Sequence, residues 1–208
     1  MPKLLHLNCS PRADSESSAG ARVFVEGFKK ARPDWDIDMM NLWREPLPEF
    51  EGYLLEAKYA RINGKAFTDS QRDAFAVAER IAIRLALADR VLISTPMWNF
   101  SIPYKLKQWF DVIVQPGLTF RFDPATGYLP LLTDRPTLVI LASGGDFITG
   151  MNRGRTDMAT PYLREALRFI GVSNVRFVPI GPTTGPAEPI RTARENAHRQ
   201  LSELAARF

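Results

Sequence analysis

The sequence predicts an α/β fold: a five-stranded parallel sheet, doubly wound, with helices on both faces. Three observations carry that expectation. Short apolar runs alternate with longer segments of helical periodicity along the whole chain, the signature of successive βαβ units. Several runs, LVILA at 138–142 above all, are apolar on both faces, so each side of the sheet requires a helical cover. The 208 residues are 45% hydrophobic, enough to bury a large core in a single domain without disulfide or metal staples.

The first expected strand is KLLHLNC, residues 3–9. Beyond the SPRADSES loop, Ala21, Phe24, Val25 and Phe28 recur at helical spacing on one face. The second run, IDMMNL (37–42), alternates in the manner of an edge strand. A connection rich in Pro and Glu (44–67) then leads to a helix starting near Asp69, with the stripe Ala74, Val77, Ala78, Ile81 and Leu85. VLIST (91–95) is the third strand. Its helix runs from Pro103, a favoured first-turn residue, with Leu106, Trp109, Phe110 and Ile113 on one face. TLVILAS (137–143) is the fourth strand, followed by a helix with Thr160 as N-cap, Pro161 at the first helical position, and Leu163, Ala166, Leu167 and Ile170 facing inward. VRFVPI (175–180) is the fifth, with Pro179 marking its end, and the last helix carries Ala193, Ala197, Leu201 and Leu204. Five strands and five helices in this order fit a flavodoxin-like domain spanning 1–208, whose ligands bind beyond the C-terminal strand ends. An aromatic insertion at about 115–135 is long enough to be a lid or an interface.

Charge and cysteine usage narrow the function classes. The net charge of +4 comes from 27 basic and 23 acidic residues spread along the chain, without the dense basic stripe of a nucleic-acid binder. Cys9 is the sole cysteine, so no internal disulfide forms and a reducing, cytoplasmic setting is expected. The N-terminus has no signal-peptide pattern and no run is long enough to span a membrane. With only His6 and His198, no cluster has metal-ligand spacing.

In a doubly wound sheet the loops after strands one, three and four converge, and the unusual residues collect there. The first loop brings Ser10, Arg12, Ser15, Ser17 and Ser18 to the start of a helix, where free amides and the helix dipole favour an anion such as phosphate. A serine N-cap alone would explain Ser17 or Ser18 equally well. The second loop, PMWNFSIP, offers Met97, Trp98 and Phe100 as flat apolar contacts and Asn99 as a hydrogen-bonding group for a planar heteroaromatic ligand. Its plainer reading tucks the two rings into the core. The third loop, ASGGDF, has paired glycines that allow close backbone approach, or simply a tight turn. The conjunction of the three loops points to a phosphorylated planar ligand.

SPRADSES, PMWNFSIPYKLKQWFD, GLTFRF and SGG, at these positions, resemble the FMN-dependent NADH:quinone oxidoreductases of the azoreductase type, over nearly the whole chain. The resemblance implies FMN as cofactor and NADH, or NADPH, as electron donor. It places Ser10, Glu16, Ser17 and Ser18 at the FMN phosphate, with Ser15 as an alternative. Met97, Trp98, Asn99 and Phe100 would contact the ring and ribityl chain, and Ser143, Gly144, Gly145 and Asp146 would line the pyrimidine edge. It further implies a homodimer with sites at the interface, Phe120 and Phe122 reaching toward the partner's flavin in the substrate pocket. Hydride would pass through flavin N5 in ping-pong order to quinones or aromatic azo compounds, with no catalytic side chain. Trp98 stands where the family often has tyrosine, and Gly144 where many members have arginine. An arginine-bearing loop, MNRGRTD (151–157), could favour the 2′-phosphate of NADPH. The rival readings are a flavin or nitroaromatic reductase of the same fold, a flavodoxin-type electron carrier, and a non-enzymatic nucleotide-binding module.

Overall fold

The computed structural model describes residues 1–148 and 154–208. In chain order the elements are β1 (Lys3–Asn8), α1 (Glu16–Ala31), β2 (Asp36–Asn41), α2 (Gly52–Ile62), α3 (Asp69–Ala86), β3 (Arg90–Pro96) and α4 (Tyr104–Ile113). They continue with β4 (Phe120–Asp123), β5 (Gly127–Pro130), β6 (Thr137–Ala142), α5 (Ala159–Phe169), β7 (Val175–Ile180) and α6 (Ala187–Arg207). Five strands form one parallel sheet in the order β2-β1-β3-β6-β7, the flavodoxin-like arrangement that was expected.

Side-chain alternation divides the core in two. Leu5, Leu7, Val91, Ile93, Val139 and Leu141 point to the face covered by α3, α4 and α5. Leu4, Leu92, Leu138, Ile140 and Val178 point to the other, where Phe24 and Phe28 of α1 and Leu201 of α6 close over them. Both sets are buried, which is why the central strands read as continuous apolar runs.

The structure differs from the sequence-based expectation in four places, each with a local cause. The 44–67 connection contains a helix, α2, whose only buried residues are Leu54 and Ala57, a stripe too thin to stand out among prolines and glutamates. The helix after β3 opens at Tyr104, because Pro103 with ψ 145° is still extended and occupies the cap position. That after β6 opens at Ala159, ahead of Thr160. Asp157 supplies the cap there, its Oδ1 accepting from the N–H groups of Ala159 at 2.8 Å and Thr160 at 2.9 Å. Finally, β7 continues through Pro179 to Ile180. The Ile180 carbonyl accepts from Ser143 at 2.9 Å, so Ile180 faces β6 and the nitrogen of Pro179 points outward from an edge strand, where its missing donor is not needed.

The insertion folds as an antiparallel hairpin of β4 and β5 outside the main sheet. Its aromatic face starts at Phe120, 5% exposed and 5.1 Å from the ring of Phe169 on α5. It ends at Phe122 opposite Tyr128, both rings more than half exposed.

Candidate functional site

The chain reverses its direction of travel across the sheet between β1 and β3, and a crevice of about 260 Å³ opens there, beyond the strand ends. Ser10, Ser15, Ser17, Met97, Trp98 and Gly144 are among its walls, so the three loops singled out by sequence do converge.

The first wall is the entry to α1. Ser15, not Ser17 or Ser18, is the N-cap: its Oγ accepts from the Ser18 N–H at 3.2 Å. Ser18 Oγ turns inward toward Ser15 Oγ (2.8 Å) and Asn8 Oδ1 (3.4 Å). Asn8 also accepts from the Ser10 N–H at 3.2 Å, tying the loop to the end of β1. The N–H groups of Glu16 and Ser17 donate to nothing among the described residues. They are two of the unsatisfied donors every helix start carries, at the positive end of a 16-residue dipole. The Glu16 carboxylate turns away to Arg194, with Oε2 3.0 Å from Nε, and Arg12 is held by Asp14 at 3.2 Å. No unpaired cation is thus committed to this wall among the described residues. Its affinity for an anion comes from amides and hydroxyls.

The second wall is the turn after β3. Trp98 and Ser101 exchange both backbone hydrogen bonds at 2.9 Å, enclosing Asn99 (φ 48°) and Phe100 (φ 70°). A two-residue loop with both central residues at positive φ matches the strand twist of a hairpin, but normally takes Asn-Gly. A phenylalanine there is strained by about 1–2 kcal/mol. The turn is held from outside: Met97 N–H donates to Ala142 O at 2.6 Å, and the Phe100 carbonyl accepts from Met158 N–H at 2.9 Å. The expectation that both rings might tuck into the core is not met, since Trp98 is 36% and Phe100 43% exposed. Strain combined with exposed aromatics marks a segment shaped for a ligand.

The third wall is the loop after β6. Ser143 Oγ donates to Gly145 O at 2.9 Å, and Thr184 Oγ1 donates to Gly144 O at 3.0 Å. The Gly144 and Gly145 amides are left without acceptors among the described residues. A Cβ at Gly145 would stand 2.9 Å from the Arg155 guanidinium and 3.3 Å from the Phe147 ring, so glycine lets these two side chains close on the loop. Asp146 Oδ1 accepts from the Ile148 N–H at 2.9 Å, which turns it into the loop.

Beyond Trp98 lies a wider groove of about 910 Å³, with Phe50, Asn99, Tyr104 and Tyr162 on its walls. Phe120 lines neither cavity and packs on its own chain; Phe122 lies at the exposed hairpin tip. One residue escaped the sequence reading. Trp43, just after β2, lies 5.7 Å from Trp98 ring to ring and donates from its indole N–H to Cys9 O at 3.0 Å. A tryptophan directly after an edge strand, in NLWREP, was the available signal. Cys9 is fully buried and its thiol is pushed far up by burial, as suits a packing residue. His6 is likewise internal, Nε2 lying 2.9 Å from Ser94 Oγ, and burial lowers it to about 4.

Free amides and hydroxyls at a helix start, an exposed indole, and further free amides on a glycine loop together fit a flavin mononucleotide. Comparison with known proteins agrees. A family model described as flavodoxin-like fold matches residues 2–204. The chain is 77% identical over 208 residues, the full length of both, to FMN-dependent NADH:quinone oxidoreductase 1 of Bradyrhizobium diazoefficiens. It is 40% identical to the FMN-dependent NADH:quinone oxidoreductase of Desulfotalea psychrophila, covering 88% of this chain and 86% of that one. The crystal structure of an FMN-dependent NADH-azoreductase from Bacillus anthracis in complex with FMN superposes with a TM-score of 0.82 at 28% identity, covering 99% of this chain and all of that one. By sequence, fold and site chemistry, the chain belongs to the flavodoxin-like family of FMN-dependent NADH:quinone oxidoreductases.

Proposed function

We propose that this protein is an FMN-dependent NADH:quinone oxidoreductase that also reduces aromatic azo compounds, with residues 1–208 acting as one FMN-binding domain. The observation that carries the reading is the pair of free N–H groups at Glu16 and Ser17, which open into the same crevice as Trp98. Those amides, with the hydroxyls of Ser10 and Ser17, would hold the phosphate, and Ser15 and Ser18 would shape the helix start rather than bind. Met97, Trp98, Asn99 and Phe100 would bear on the ring and its chain. Ser143, Gly144, Gly145 and Asp146 would face its polar edge, the Gly144 and Gly145 amides stabilising negative charge as preorganised donors.

When bound, FMN supplies the two-electron chemistry, taking hydride from the nicotinamide and returning it to the acceptor. The protein's part is to bind and orient, and no side chain acts as nucleophile or general base. An open mouth walled by Trp98, with the exposed ring of Phe100 two residues along, suits flat aromatic molecules, donor and acceptor in turn. The exposed tip of the hairpin, with Phe122 and Tyr128, would meet a second copy in a homodimer, while Phe120 anchors the hairpin from beneath. No helix among the described residues is long and apolar enough to cross a membrane, and a cytoplasmic location suits a nicotinamide-dependent enzyme with one buried thiol. For NADH against NADPH, residues 151–153 of MNRGRTD lie outside the described residues, and NADH is the donor we favour from the relatives' names.

The test is direct. The purified protein should be yellow or take up added FMN, bleach under anaerobic NADH, and give parallel double-reciprocal lines for NADH against a quinone. A colourless protein that takes up no FMN would overturn the reading, and intersecting lines would replace alternation by a ternary complex. Trp98→Ala should weaken FMN affinity about three- to tenfold, the worth of one aromatic contact.

A further inference from the structure

Trp98 forms part of both the narrow crevice and the wider groove, so the position of its ring sets the mouth between them. It follows directly on Met97 and precedes a strained two-residue loop, and it is more than a third exposed. Its own backbone therefore fixes where the side chain starts but not where the indole rests. The contact that does so comes from Trp43, with ring centroids 5.7 Å apart and planes inclined at 54°.

Trp43 is itself held at both ends. Its N–H donates to Asn41 Oδ1 at 3.0 Å, closing a side-chain turn at the end of β2. Its indole N–H donates to the Cys9 carbonyl at 3.0 Å, at the start of the serine loop. Tyr104, the first residue of α4, stands edge-on to the ring at 5.2 Å and 82°. Trp43 thus joins the loops after β1, β2 and β3 through one rigid side chain. It is on the wall of neither cavity and reaches a ligand through the rings it packs on; Tyr104 lines only the wider groove, whereas Trp98 lines both.

We propose that Trp43 is a specificity-determining positioning residue: by fixing the Trp98 ring at the crevice mouth it favours flat, fused-ring acceptors over single-ring ones. The inference rests on the quinone reductase reading given above and deepens it. A wall locked in place forms a slot, and a slot gains contact with a fused bicyclic ring along its whole length. A wall free to rotate gives up that extra contact and leaves a small ring almost unaffected.

The experiment compares wild type with Trp43→Phe, which keeps a ring but loses the indole donor, and with Trp43→Leu. A first readout needs no cofactor. The apoprotein should show a far-ultraviolet exciton couplet from the two indoles, absent from both Trp43 variants and from Trp98→Phe. In the FMN-loaded protein, KM for a naphthoquinone should rise about three- to tenfold in Trp43→Leu and less in Trp43→Phe, as loss of an aromatic contact implies. Turnover of benzoquinone should change less than about twofold, and the dissociation constant for FMN less than in Trp98→Ala, since losing Trp43 frees the Trp98 ring without removing it. An unchanged naphthoquinone-to-benzoquinone ratio in Trp43→Leu would overturn the proposal. So would an equal rise in KM for both quinones together with a fall in turnover, FMN affinity and melting temperature, which would make Trp43 merely structural. A wild-type protein that binds no FMN would instead sink the functional reading itself, and the couplet would still report whether Trp43 and Trp98 are paired.

Discussion

The two ends of the parallel sheet are built to opposite rules. At the N-terminal end, polar groups are mostly matched to partners, the buried Nε of Arg90 excepted. The Arg135 guanidinium donates to the carbonyls of Leu85, of Ala86 at 3.0 Å and of Ala88 at 2.7 Å, closing the C-terminus of α3, and to Thr133 O as well. Asp134 Oδ1 accepts from three backbone N–H groups, those of Arg135, Ser173 and Asn174, at 2.8–3.0 Å. Burial alone would raise its carboxyl, yet these donors prevail and hold it below the ordinary range. At the C-terminal end, four amides find no acceptor among the described residues, a phenylalanine sits at positive φ, and two aromatic rings face solvent. One end spends its polar groups on stability, and the other keeps them free for a ligand.

Three substitutions would break or sharpen that contrast. The largest effect is expected from Arg135→Ala, which strips the end of α3 of its donors. It should cost about 4 kcal/mol in urea unfolding while leaving FMN affinity unchanged; a loss of FMN binding at equal stability would erase the division between the ends. Next comes His6, midway along β1, whose Nδ1 has no partner among the described residues. Its value falls from 6.5 in the unfolded chain to about 4 in the fold, so on acidification the unfolded state takes the proton first. Its contribution is therefore constant above pH 6.5 and turns unfavourable between 6.5 and 4, reaching about 2 kcal/mol at pH 5. Unfolding of wild type and His6→Gln at pH 7 and pH 5 measures this; equal slopes would show that the imidazole does not titrate there. The smallest effect has the opposite sign. Phe100→Gly creates Asn-Gly, the preferred pair for this turn, and should stabilise the fold by about 1 kcal/mol while lowering FMN affinity or turnover. A variant both less stable and fully active would show that the turn is not strained for function.

Legibility from sequence followed the same division. The core strands announced themselves because residues such as Val139 and Ile140 must be apolar on both faces. The three loops were legible because serines, paired glycines and a Trp-Asn-Phe run are costly to place without a use. What stayed hidden was conformation that contradicts local propensity. Asn99 suits a positive-φ turn but Phe100 does not read as one, since a bulky aromatic ordinarily avoids it, and contacts distant in sequence, at Ala142 and Met158, help to hold it there. Trp43 left only a faint signal for a related reason: its meaning lies in a 5.7 Å contact across two loops, not in spacing along one. The cap of α1 moved from Ser17 or Ser18 to Ser15 because neighbouring serines compete for one position and side-chain direction decides.

The bonds that hold the turn after β3 also impose an order of assembly. Met97 needs the end of β6, and Phe100 needs the start of α5. A nascent chain that has emerged only through α4 can pair β1, β2 and β3, yet lacks the segments that force Asn99 and Phe100 into shape. During synthesis, then, the aromatic turn remains relaxed until the second half of the chain arrives, and a truncated product ending before β6 would carry a partial sheet without a competent cofactor mouth.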